Sequence, residues 1–126
     1  MIPLSKDDLT NAEKLSFASD NEILEVLPEL FEWLQDCNWP VFPVVCNRVS
    51  KLKIGLDEQV RSVLLGNDII WKCCIVGHVF PKLELSQVNS YEPLLRKLIT
   101  NPSLEEYKEG LVDYVEIQLA RVKEST

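Results

Sequence analysis

Several things are scarce in this chain of 126 residues, and each scarcity excludes a class of function. The four glycines, Gly55, Gly66, Gly77 and Gly110, stand apart, so no Gly-rich phosphate loop of the GxGxxG or GxxxxGK type exists and nucleotide binding by such a loop is not expected. No apolar run approaches the ~20 residues that span a bilayer. The opening residues Met1–Thr10 turn polar by Ser5 and hold no apolar leader segment, which predicts a cytosolic protein. Basic residues are few, 13 against 20 acidic ones, for a net charge of −7. Lys51, Lys53, Arg61, Lys72, Lys82, Arg96, Lys97 and Lys108 are scattered among acids, so neither nucleic acid nor an anionic membrane is expected as a partner. A basic protein partner suits this charge, as does plain solubility.

Metal and nucleophile chemistry is equally thin. With one histidine and no CxxC pair, the only local cluster is Cys73, Cys74 and His78. One helix face could present Cys74 and His78, whereas Cys73 points about 100° away from Cys74. A small metal- or thiol-dependent enzyme centred on Cys74 and His78 is therefore the catalytic alternative. The bland alternative is core packing, because Cys74 sits inside an apolar stripe and not at a helix start where a thiolate is stabilised. Cys37, Cys46, Cys73 and Cys74 are expected as thiols in a reducing compartment, and no cofactor or metal is expected.

What the chain does have is helical periodicity. Apolar residues make up 46% and charged residues 26%, ordinary values for a folding domain of this length. Residues 1–18 read as an N-terminal docking segment with Leu9, Ala12 and Leu15 on one short helix, capped by Ser5 or Asp7. Hairpin 1 covers 19–54. Ser19 caps a helix from about Asp20 carrying Ile23, Leu24, Leu27, Leu30, Phe31 and Leu34, with a kink at Pro28. Asn38 is expected to cap its second helix, with Trp39 and Pro40 in the first turn and Val41, Phe42, Val45, Val49 and Leu52 behind them. Hairpin 2 covers 56–83: a short helix from Asp57 ends at a left-handed Gly66, and Asp68 caps a helix through Ile70, Trp71, Cys73, Cys74, Val76, Val79 and Phe80, closed by Pro81. Hairpin 3 covers 91–123, with Leu94, Leu95, Leu98 and Ile99, a turn at Asn101-Pro102, and a long helix capped by Ser103 and running through Leu104, Leu111, Val115, Leu119 and Val122.

Asp36-x-x-Trp39 recurs as Asp68-x-x-Trp71 at an offset of 32 residues. A helix pair repeating at ~30 to 45 residues predicts an all-α fold, a short α-solenoid of two to three HEAT-like helical hairpins forming a single domain over 1–126. Asp36, Asn38, Trp39, Asp68 and Trp71 are the candidate partner-binding residues: capping acids and Trp wedges in the structural reading, a semi-apolar strip of the kind hot spots favour in the functional one.

Ile2-Pro3-x-x-Lys6-Asp7-Asp8, Leu27-Pro28-Glu29-Leu30-x-x-Trp33-Leu34-Gln35-Asp36 and Asn38-Trp39-Pro40 together resemble a family of small, uncharacterised, mostly bacterial proteins classed as a domain of unknown function. The resemblance implies a HEAT-like helical fold and transfers no catalytic residue. Fold-level analogy adds immunity partners of bacterial toxins. The expectation is a non-catalytic, cytosolic protein-interaction module, with the Cys74/His78 enzyme and a structural subunit of a homo-oligomer as alternatives.

Overall fold

Capping chemistry and proline placement divide the chain into short helices. A computed structural model describes residues 1–124, and among these there are ten α-helices and no strand. The chain forms two compact units, Met1–Asn67 and Asp68–Thr126.

In the first unit, α1 (Leu9–Glu13) runs into a 3-10 turn, Lys14–Phe17. Its cap is Asp8, not Ser5 or Asp7: the Asp8 carboxylate accepts from the backbone N–H of Asn11 (3.2 Å), the Asn11 side-chain amide (2.7 Å) and the backbone N–H of Leu4 (2.8 Å). Ala12 and Leu15 are fully buried, whereas Leu9 is 40% exposed. Ser19 caps α2 (Asp20–Glu25) in a reciprocal capping box with Glu22, as its sequence pattern predicts.

The expected single helix through Leu34 is two helices. α2 stops and α3 (Leu27–Glu32) begins around Val26 (φ −117°, ψ 15°). Pro28 lacks the amide that would have bonded the carbonyl four residues back, so the break falls ahead of it and Pro28 sits in the first turn of α3.

α4 spans Phe42–Val49, with Pro43 in its first turn. It buries Phe42, Val45, Cys46 and Val49 and packs against α1 and the 3-10 turn. The Arg48 guanidinium donates to the carbonyls of Leu15 (3.1 Å) and Ala18 (3.0 Å) and to the Asp20 carboxylate (2.7 Å). α5 (Asp57–Leu64) follows a turn at Gly55, whose φ is +92°. Gly66 does not take the left-handed conformation expected of it: the positive-φ glycines are Gly55 and Gly110.

The second unit is built around α10 (Leu111–Glu124), which buries Leu111, Val115, Gln118 and Val122 along one face. Asp68 caps α6 (Ile69–Cys74), accepting from the backbone N–H of Trp71 at 3.0 Å. The single helix expected to run on to Phe80 changes pitch: Ile75–Val79 is a π turn and Phe80–Lys82 a 3-10 turn. Gly77 lies in the π turn, where a Cβ would stand 2.9 Å from the Tyr114 ring, so close packing of α10 requires glycine there. α7 (Leu85–Asn89) has no counterpart in the expected hairpins.

α8 (Glu92–Leu98) carries Pro93 in its first turn. Ser103 caps α9 (Leu104–Lys108) in a capping box with Glu106. The long helix expected from Ser103 to Val122 is α9 and α10, separated at Gly110, whose φ of +89° no continuing helix allows.

Candidate functional site

The most distinctive surface of the first unit is the connection between α3 and α4. Trp33 ends α3, its N–H donating to the Leu30 carbonyl at 3.1 Å, and the fully buried Leu34 anchors the chain beneath the turn. Asp36 then organises the loop. Its carboxylate accepts from the Asn38 N–H at 2.8 Å and its carbonyl accepts from the Trp39 N–H at 3.2 Å. Asn38 is therefore not the cap of α4, a correction to the sequence reading, and Pro40 is not in its first turn. The Val41 N–H donates instead to the Lys6 carbonyl at 3.1 Å, and α4 begins at Phe42 with Val41 as its cap residue. Pro43 takes the position expected of Pro40.

This turn brings Trp39 against Trp33. The ring centroids are 5.6 Å apart at an interplanar angle of 65°, an edge-to-face pair of the kind worth ~0.5 to 1.5 kcal/mol beyond its buried area. Both indoles are half-buried, and neither Trp33 nor Trp39 is buried with an orphaned N–H. Exposed Glu29 and Glu32 lie on the solvent side of α3, Glu29 one helical turn before Trp33 and Glu32 next to it in sequence, opposite the buried Leu27, Leu30 and Phe31.

Along the chain on either side of the pair the charge is of one sign, although the Lys6 backbone also reaches the turn at Val41. Between Lys14 and Arg48 there is no basic residue and there are six acids: Asp20, Glu22, Glu25, Glu29, Glu32 and Asp36. Asp20 is held by Arg48, and Glu22 is used in its capping box. Hydrogen bonds from the Ser19 backbone and then its hydroxyl hold the Glu22 carboxyl below its usual range. Glu25, Glu29 and Glu32 make no ion pair among the described residues.

Asp36, Asn38 and Trp39 thus share one turn with Trp33. Sequence reasoning passed over Trp33 because it lies off the α3 apolar stripe; the available signal was an aromatic at the end of an acidic helix face. In the second unit, Asp68 and Trp71 share the first turn of α6 as cap and capped residue. The Trp71 indole N–H is buried and has no partner among the described residues. The two Asp-x-x-Trp phrases therefore adopt different structures, a loop turn and a helix cap.

The Cys74/His78 pair is split by environment. Cys74 is 2% exposed and His78 is exposed, its ring 6.3 Å from that of Tyr114. Cys73 Sγ faces the Glu109 carbonyl at 3.6 Å, and no disulfide joins the four cysteines. Among the described residues no three His, Cys, Asp or Glu side chains are grouped to hold a metal ion. A shallow depression of about 360 Å³ between α8 and α10 is lined by the paired Glu92 and Arg96 with Leu119, Ala120, Val122 and Lys123.

Fold and site together define an all-α protein with an acidic, tryptophan-bearing loop edge. A family model described as a domain of unknown function (DUF5071) matches residues 1–118, and the chain belongs to that family. No curated protein matches the chain. No helix among the described residues is long and apolar enough to cross a membrane.

Proposed function

We propose that the chain is a non-catalytic protein-interaction domain that presents the α3–α4 edge to a protein partner. The observation that carries this reading is the Trp33–Trp39 pair: two half-buried indoles in edge-to-face contact on a turn fixed by four hydrogen bonds. Trp is the side chain most enriched among binding hot spots, and a pre-ordered turn loses little entropy on docking. We also read the helix pairs as a short α-solenoid of HEAT-like units, and the protein as cytoplasmic and bacterial. A toxin domain bound by an immunity-type protein is one partner consistent with this reading.

The test is retention of a stoichiometric partner from lysate of the native host on immobilised wild-type protein and on the Trp39→Ala variant. The expected result is a partner retained by wild type and weakened at least about tenfold by the substitution, the size of a typical hot-spot loss. A circular dichroism melt of the variant separates loss of surface from loss of fold. Equal retention by a folded Trp39→Ala protein would remove this edge from the function.

A further inference from the structure

We propose that the α3–α4 edge recognises a cationic polypeptide segment, with an arginine of the partner docked on the Trp33–Trp39 pair and flanked by Glu29, Glu32 and Asp36. The inference rests on the reading of this edge as a partner surface and adds the chemistry of what it takes.

Sign of charge selects the occupant. The edge lies in the stretch from Lys14 to Arg48 that holds six acids and no base, and Glu29 and Glu32 have no ion-pair partner among the described residues. A phosphate backbone or anionic lipid would be repelled by this field. A second copy of the chain would bring the same acids to the same place. A polypeptide cation is attracted instead, and electrostatic complementarity of this kind speeds encounter and rejects wrong partners.

The aromatic pair then favours arginine among cations. A guanidinium stacks on an indole face and can bond a carboxylate bidentately at the same time, whereas an ammonium does neither as a planar fork. Edge-to-face packing fixes the two indoles before any ligand arrives, and Asp36 fixes the loop through Asn38 and Trp39, so the surface exists without rearrangement. Asp36 spends one carboxylate oxygen on Asn38, which leaves the other for a ligand.

The test uses the full chain labelled with nitrogen-15, in which the indole N–H signals of Trp33, Trp39 and Trp71 are assigned by single Trp→Phe substitutions. The probe is the capped peptide Gly-Arg-Gly-Arg-Gly, with citrulline replacing arginine as the neutral control and spermidine as a small polycation. The arginine peptide is expected to move the Trp33 and Trp39 signals saturably and to leave Trp71 in place. Citrulline should weaken binding by about tenfold. Replacing Glu29 and Glu32 with Gln should weaken it by about fivefold, while Glu105→Gln with Glu116→Gln, exposed acids of the second unit, should change nothing.

Equal binding of the two peptides, equal loss in both pairs of Glu variants, or spermidine matching the peptide at the same signals would each overturn the proposal. Silent Trp33 and Trp39 signals would do so too. If native-partner retention still depends on Trp39 in that case, the cationic inference alone falls. If it does not, the surface reading falls with it.

Discussion

Glu106 performs two tasks with one carboxylate. It closes the capping box at the start of α9, and it stands 3.7 Å from the ammonium of Lys72, a residue only 8% exposed. Hydrogen bonds from the Ser103 backbone foremost, with further help from the Ser103 hydroxyl and the Lys72 charge, hold its carboxyl below the ordinary value of 4.5 against the opposing effect of burial. A carboxyl depressed by folding stabilises the native state above its unfolded value and loses that contribution as pH falls through the folded one. Asp8, lowered mainly by the Asn11 side-chain amide, and Glu22 act in the same direction. Stability measured by urea unfolding is therefore expected to decline as pH drops below 4.5, and Glu106→Gln should flatten that decline. Glu106→Ala should cost about 1 to 3 kcal/mol at neutral pH, since it removes a cap and strands a buried ammonium. Lys72→Met added to Glu106→Ala should recover part of the loss; a double variant less stable than Glu106→Ala would show that the ammonium is not the stranded group.

Among the elements, α4 packs against the N-terminal segment, and a single side chain, Arg48, adds its hydrogen bonds to that contact. Arg48 reaches two carbonyls and one carboxylate across about thirty residues of sequence, all within hydrogen-bond distance. Arg48→Ala should destabilise by about 1.5 to 3 kcal/mol, the range for bonds to charged groups, and Arg48→Lys should recover little because an ammonium cannot match the fork. Early proteolytic cleavage between Leu9 and Ala18 in the variant is the accompanying sign. Gly110→Ala should cost about 1 to 2 kcal/mol by forcing an alanine to the left-handed conformation. How legible each element was follows the range of its determinants. Ser19, Asp68 and Ser103 were readable as caps because a cap is a four-residue pattern. The start of α4 was not, since its cap residue Val41 offers no side-chain cap and its N–H bonds Lys6, thirty-five residues earlier in the chain. Gly66 and Gly110 look alike in sequence, yet only Gly110 takes the left-handed turn, and the π turn opposite Tyr114 is set by packing that periodicity does not encode. Of the proposed edge, the Asp-x-x-Trp spacing singles out Asp36, Asn38 and Trp39, whereas Trp33 joins them only through the turn that brings its ring centroid within 5.6 Å of that of Trp39.

At the scale of the whole molecule, charge is divided unevenly. The first unit holds eleven acids against six bases and the second nine against seven, so five of the seven net negative charges belong to the unit that carries the Trp33–Trp39 edge. The exposed apolar side chains Leu4, Phe17 and Ile54 of that unit would favour self-association, but each copy would bring its acids with it. Sedimentation velocity weighs the two terms. At pH 7 and about 20 mM salt, where the screening length exceeds ~20 Å, a single monomeric species is expected up to about 300 µM. In about 0.5 M salt screening contracts to a few ångströms, and weak concentration-dependent association should appear. A dimer stable in low salt and indifferent to ionic strength would mean that apolar complementarity outweighs the charge. That result would favour a homo-oligomeric subunit over a domain whose acidic edge is kept open for a cationic partner.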